Sequence, residues 1–305
     1  MKHSVAFCGV FLALALVFSY VESLIPVAVA IPGVKLGIAN IVIIMVLYLV
    51  GTKQAYVVSV LRVILAGFMF GNLFSIIYGI SGAILSLSVM LILYKSKRFH
   101  MVSISCAGGI AHNLGQIIVA SIIVQNYNIM YYFAVLMIAG CITGIIIGFV
   151  ACEMVKRIGT FVNKDIKKED YYLNKIKIND IILIIAIIAF SIVSLVGINI
   201  AKDADADIVR ISVDGEIYGE YSLEKNNNIE VVIDGEVQNV VTISDGKCYM
   251  SHASCPDKLC VNQGAIHTDK QSIICLPNKV VVEVVKGDGA NADDSSDDTP
   301  DAIVK

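Results

Sequence analysis

Apolar positions in the first two hundred residues fall in long unbroken runs that stop at charges, glycines or prolines. A run of about 20 apolar residues, wound as a helix, spans the roughly 30 Å of a bilayer's hydrocarbon core. Seven such spans can be drawn: Ser4–Val21, Gly37–Gly51, Ala55–Phe70, Leu73–Tyr94, His100–Val124, Ile129–Val155 and Ile181–Ile200. The second is short unless it draws on Ile31–Leu36. The first has the positive start and apolar middle of a signal peptide. It is followed by "YVESLIP" rather than a small-residue cleavage site, so it is read as a retained helix.

The period changes after the seventh span. "IVRISV", "IEVVI", "VQNVVTI" and "KVVVEVV" are short β-branched runs, and Asp214-Gly215, Asp234-Gly235 and Asp245-Gly246 are turn signals among them. Residues 207–285 therefore read as a small all-β domain. Residues 286–305 are acidic and low in complexity, the composition of a disordered tail. Residues 1–155 form a six-helix unit, and residues 156–180 a basic connector. Residues 181–200 form a seventh, tethering helix. The fold class is an α-helical integral membrane bundle with a small all-β extracytoplasmic domain.

Charge orients the chain. Lys2 precedes span 1, Lys53 lies between spans 2 and 3, and Lys95, Lys97 and Arg98 lie between spans 4 and 5. Lys156, Arg157, Lys164, Lys167, Lys168, Lys175 and Lys177 lie between spans 6 and 7, while Lys35 is the one clear cation in the alternate loops. Positive loops stay cytoplasmic. The expected topology puts the N-terminus inside and everything after span 7 outside. Residues 201–305 carry 20 acidic and 9 basic residues, a net of −11, and the remainder carries a net of +8. An acidic external domain argues against nucleic acid as a partner.

Polar groups inside the spans are the first candidates for chemistry. His112 and Gln116 lie one turn apart in span 5, with Asn113 beside them. Arg62 lies within span 3, Asn40 starts span 2, and Asn72 breaks the chain between spans 3 and 4. Glu22 and Lys35 flank "ESLIPVAVAIPGVK", whose prolines and glycine predict an irregular or re-entrant segment. Polar side chains in hydrocarbon face the bundle interior or a wet cavity. A solute pocket open to the outer half is therefore expected, set against the plainer reading that these groups only bond one another. Small residues at spacing four form ridges: Gly140, Gly144 and Gly148 in span 6, Gly67 and Gly71 at the end of span 3, and Ala107, Ala111 and Gly115 in span 5. Internal helix packing is the first reading of each ridge. Gly9 and Ala13 on span 1 are the best candidates for docking another membrane subunit. The chain shows no P-loop and so no means of hydrolysing ATP.

"ESLIPVAVAIPGVKLGIANIVIIMVLYLVG", "RVILAGFMFGNLFSIIYGISGAILSLSVM" and "GGIAHNLGQIIVA" resemble the Gx transporter family, also known as heptaprenyl diphosphate synthase component I. The six-helix unit in turn resembles the substrate-binding S-components of energy-coupling factor transporters. That resemblance implies a transport component rather than an enzyme. It would bind a vitamin-sized solute and work with a transmembrane coupling subunit and two ATPases. Some family members are linked to flavin traffic for extracellular electron transfer, so a flavin is expected as substrate, with no covalently bound cofactor. The synthase name implies isoprenoid or quinone biosynthesis instead. The membrane unit has no aspartate-rich DDxxD-type site for Mg²⁺ and diphosphate, which counts against catalysis by this chain alone.

Cys248, Cys255, Cys260 and Cys275 lie in the external domain. Disulfides or redox thiols are the first reading there, and four cysteines allow three pairings. A zinc or iron–sulfur site is the second, because Cys-x₄-Cys is looser than the usual Cys-x₂-Cys knuckle. Unpaired structural thiols are the third. "SCPDKLCVNQGAI" and "IICLPNKVVVEV", after "VRISVDGEIYGEYSL", resemble NusG domain II, with Cys255, Cys260 and Cys275 on that family's cysteine positions and Cys248 additional. Such tethered domains resemble partners of flavin-based redox systems, which implies an external flavoprotein partner. Cys8, Cys106, Cys141 and Cys152, in the spans, read as packing residues.

Overall fold

The computed structural model describes residues 2–24, 37–162, 176–200, 206–256, 258–269 and 271–286. The proline-containing segment with Lys35, most of the basic connector and the acidic tail lie outside the described residues.

The N-terminal part is helical: α1 Lys2–Leu24, α2 Ile38–Leu49, α3 Thr52–Phe70, α4 Leu73–Ser96, α5 Met101–Ile123, α6 Phe133–Val162 and α7 Ile178–Ile200. A 3₁₀ helix, Tyr127–Tyr132, joins α5 to α6. Among the described residues six of these helices are long and apolar enough to cross a membrane. The exception is α2, with 12 residues. At about 1.5 Å per residue it reaches roughly 18 Å, short of the bilayer core. It survives because the bundle surrounds it: Val42 through Leu49 are all buried. The chain of α6 runs on to Val162, seven residues past the expected end of span 6 at Val155, so the connector begins later than the charges suggest.

Small residues set how the helices pack. A Cβ on Gly144 would lie 2.7 Å from the Cys106 Cα, and one on Gly148 would lie 2.7 Å from the Val102 Cα. One on Gly109 would meet the Gly140 carbonyl at 2.5 Å. The ridge of α6 is therefore buried against α5, as the packing reading expects. Gly67 likewise faces Ile76 of α4. Gly9 and Ala13 on α1 stay exposed, and nothing lies within 4 Å of a Cβ placed on Gly9.

The C-terminal part is two antiparallel sheets. One has the order β2-β1-β7-β6 and the other β3-β4-β5. The strands are β1 Ala206–Val213, β2 Glu216–Ser222, β3 Asn227–Ile233, β4 Glu236–Ser244, β5 Lys247–Ala253, β6 Ser272–Cys275 and β7 Val280–Lys286. A one-turn helix, α8, covers Leu259–Asn262. All three Asp-Gly pairs are hairpin turns with positive φ at both residues: 50° and 85°, 53° and 81°, 53° and 67°. That is the geometry for which Asp-Gly is selected.

The two parts touch. Ile117, Val124, Ile129 and Leu136 of the α5–α6 region form one buried cluster with Ile274 and Val281 of the β domain. The Tyr132 hydroxyl donates to the Ser272 carbonyl at 2.5 Å and accepts from the Ser272 N–H at 2.9 Å. Asn126 Nδ2 donates to Glu283 Oε2 at 3.3 Å. At the opposite end, buried Asp180 accepts from the His100 N–H at 2.7 Å and the Lys177 N–H at 2.8 Å, pinning the start of α7 to the start of α5.

Candidate functional site

The polar residues of span 5 divide between two helix faces. Asn113 turns toward α6, where its Nδ2 donates to the Leu136 carbonyl at 2.8 Å. His112 and Gln116 turn toward α4. A Cβ on Gly82 would lie 2.9 Å from His112 Cε1 and 2.9 Å from Gln116 Cγ. Glycine at residue 82 is what lets the imidazole and the amide reach α4. Ser81 Oγ donates to the Gly115 carbonyl at 2.9 Å, bonding the same two helices.

A second polar group gathers where α1, α2 and α3 meet. Arg62 Nη1 lies 3.5 Å from Ser19 Oγ, and its guanidinium is close enough to Glu22 to feel that charge. Arg62 Nε is buried without a hydrogen-bond partner among the described residues. Glu22 Oε1 accepts from the Gly37 N–H at 2.5 Å. Gly37 is the left-handed N-cap of α2, and a Cβ there would lie 3.2 Å from Asn40 Nδ2. Five expected site residues thus fall into two sets: Glu22, Arg62 and Asn40 at the head of the short α2, and His112 with Gln116 between α4 and α5. Asn72 stands apart as the N-cap of α4, accepting from the Ser75 N–H at 2.8 Å in a reciprocal capping box. Lys35 lies outside the described residues.

The four cysteines of the β domain also divide. Cys248 sits on β5, is fully buried, and has its thiol pushed up to about 12 by that burial. Cys255, Cys260 and Cys275 come together, with all three Sγ atoms within 4.8 Å of one another and Cys255 to Cys260 at 3.6 Å. All three are buried, unbonded thiols. The loop before α8 brings Cys255, and α8 itself brings Cys260, to Cys275 at the end of β6. Cys275 is held down to about 6, first by the Cys260 thiol donating to its sulfur, then by the Asn239 amide and the Asn278 backbone N–H, against the opposing effect of burial. The same contact with Cys275, together with burial, pushes Cys260 up, and burial leads in raising Cys255. Asn239 is itself fully buried and is oriented by Asn278, whose Nδ2 donates to Asn239 Oδ1 at 2.7 Å. Asn239 Nδ2 also lies 3.4 Å from the buried Met250 Sδ.

Sequence reading missed these supports, although one signal was present. In β4, Asn239, Val241 and Ile243 share the buried face, so a polar residue occupies an inward position of an otherwise apolar alternation. It also missed the pairing of Cys106 and Cys141, whose Sγ atoms lie 3.2 Å apart across the α5–α6 crossing. No spacing rule links residues on different helices.

Residues 11–154 match the family described as heptaprenyl diphosphate synthase component I, and residues 181–288 match NusG domain II. The second match takes in α7, where the resemblance in the residues alone began at 207. No curated protein matches this chain. Among solved structures, a DUF1312 family protein from Ruminococcus gnavus is 47% identical over 27% of this chain and 99% of its own, with a TM-score of 0.24. The Lin0431 protein from Listeria innocua is 25% identical over 26% of this chain and 94% of its own, also with a TM-score of 0.24. Its apolar helices make the chain a multi-pass membrane protein, with an N-terminal unit similar to heptaprenyl diphosphate synthase component I and a C-terminal unit similar to NusG domain II.

Proposed function

We propose that this chain binds a small, vitamin-sized solute within its helical bundle and moves it across the membrane, with a flavin as the solute that the family resemblance suggests. The observation that carries the reading is the group around Arg62. A guanidinium with a buried, unpartnered Nε sits beside Glu22 and the head of a helix too short to span the membrane. Charge at that depth is costly unless a solute, water or a counter-ion meets it. The head of a half-length helix is also where membrane proteins receive polar ligands. His112 and Gln116 supply a second polar surface on α5. The proposed orientation keeps the N-terminus inside and the β domain outside. Two contacts support it: the β domain meets the α5–α6 turn, and α7 starts beside α5 at the other end, near Lys95, Lys97, Arg98 and Lys177. An energy-coupling subunit with its ATPases is the proposed partner, using the uncovered Gly9–Ala13 face of α1. An external flavoprotein is the proposed partner of the β domain, which serves as a redox or scaffold module.

The test is flavin binding by detergent-purified protein, read by fluorescence quenching. Arg62→Ala and His112→Ala are expected to weaken binding at least ~10-fold, the scale of 1–2 lost polar contacts. Asn113→Ala, which loses only a helix-to-helix bond, is expected to bind normally. Equal affinity in all three variants would remove the pocket. A second reading, a membrane subunit for heptaprenyl diphosphate synthesis, is favoured by the name of the matched family. Residues 1–155 hold only Glu22 and Glu153 as carboxylates, too few for a Mg²⁺–diphosphate site. This second reading requires prenyl-diphosphate formation with a soluble partner.

A further inference from the structure

We infer that Cys255, Cys260 and Cys275 form a three-sulfur site for one thiophilic d¹⁰ cation, Cu(I). The group is a triangle rather than a pair. The Cys255 and Cys260 sulfurs are 3.6 Å apart, and all three lie within 4.8 Å of one another. Thiolates bound at about 2.3 Å to a common metal sit roughly 3.8–4.0 Å apart, inside that window. A disulfide would satisfy two of the three sulfurs and leave the third as a buried thiol. A metal satisfies all three.

The surroundings suit a cation of this kind. Among the described residues no fourth His, Cys, Asp or Glu joins the group, which disfavours four-coordinate structural zinc and suits three-coordinate Cu(I). The sulfurs are 4%, 1% and 1% exposed by residue, so a bound ion would be shielded from water without needing an open position. Hydrogen bonds to metal thiolates spread their charge and fix their direction. Here the Asn239 amide and the Asn278 N–H already point at Cys275, and the Lys258 N–H at Cys255. Asn239 is held in turn by Asn278. Met250 Sδ, against the same Asn239 amide, adds a further soft atom close by. Cys248, apart from the triangle, takes no part. On binding, Cu(I) replaces the thiol protons, which leave to solvent, and no electron is transferred.

The experiment uses the full-length, detergent-purified protein, reduced and then freed of reductant under anaerobic conditions. Cu(I) is offered in competition with a coloured chelator. The expected result is one copper per chain, with X-ray absorption showing three sulfur neighbours. Cys275→Ser is expected to abolish retention and Cys248→Ser to preserve it. Asn239→Ala is expected to weaken retention about 10–100-fold, as for residues that orient metal ligands. Wild-type protein that retains no copper, or holds it by two sulfurs or by nitrogen and oxygen, would overturn the assignment. So would a disulfide between any two of the three cysteines in most chains isolated without reductant, detected by alkylation and mass spectrometry. Both of these readings use the wild-type chain, so a misfolded variant does not shield the proposal.

Discussion

Cys275 shows how far a single side chain's surroundings set its chemistry. With its proton held at about 6 rather than the ordinary 9.0, the folded, metal-free chain releases that proton before the unfolded chain does. Between those two values the unfolded state binds more protons, so stability rises with pH. Above pH 9.0 the sign reverses. Cys248, held up to about 12, keeps a proton that an unfolded thiol has lost, and the raised Cys255 and Cys260 act the same way. Hydrogen-exchange protection of the reduced β domain is expected to climb from pH 6 toward 9 and fall beyond it. Cys275→Ser should lose the climbing limb. A flat profile in the wild type would contradict the hydrogen-bonded thiolate. The same lesson holds for Asn113, His112 and Gln116. Adjacent in sequence, they face different helices, and only the fold says that Asn113 is spent on the Leu136 carbonyl.

At the level of elements, small residues decide which helices can meet. α5 lies between α4 and α6, with Gly82 and Gly115 at one crossing and Gly109, Gly140 and Gly144 at the other. Membrane helices gain little from hydrophobic burial against one another, so close backbone contact carries much of their packing. Gly144→Val places side-chain atoms against the α5 backbone and is expected to cost about 1–3 kcal/mol, measured as a lower thermal midpoint in detergent. Gly9→Val, on an uncovered face, should leave that midpoint unchanged. If the proposed coupling subunit docks there, Gly9→Val should instead reduce co-purification. Matching losses of stability in both variants would mean that the two ridges do not differ in the way the packing describes.

At the scale of the whole molecule, the β domain and the bundle share a surface. β6 and β7 are covered on both sides: Ile273, Cys275, Val280, Val282 and Val284 face the domain's own core, while Ile274 and Val281 face the bundle. Two-sided burial explains why "KVVVEVV" shows no alternation. It also puts Cys275 next to a residue that touches the helices near the α5–α6 turn. Tyr132→Phe removes both hydrogen bonds to Ser272 and is expected to weaken this contact by about 1–2 kcal/mol. Faster hydrogen exchange confined to residues 272–283 and the turn at 124–132 would register it. Unchanged exchange at both places would show that the apolar cluster alone holds the domain.

The sequence alone determined the class of each half. Long apolar runs have few solutions in a bilayer, where every backbone group must be bonded within a helix or a closed barrel. Asp-Gly turns between β-branched runs select hairpins through the backbone φ they tolerate. Strands β1, β3, β4 and β7, the three Asp-Gly turns and the spans were all legible because each is a local pattern. The polar and charge patterns also marked Arg62, His112 and the four cysteines as unusual. Strands β2, β5 and β6 were not legible, since partly exposed edges and a four-residue strand leave little local periodicity. Only the tertiary structure decided that Glu22 reaches Gly37, and that three of four cysteines converge while Cys248 does not. Those outcomes depend on which residues meet across distant segments, and local spacing carries no information about that.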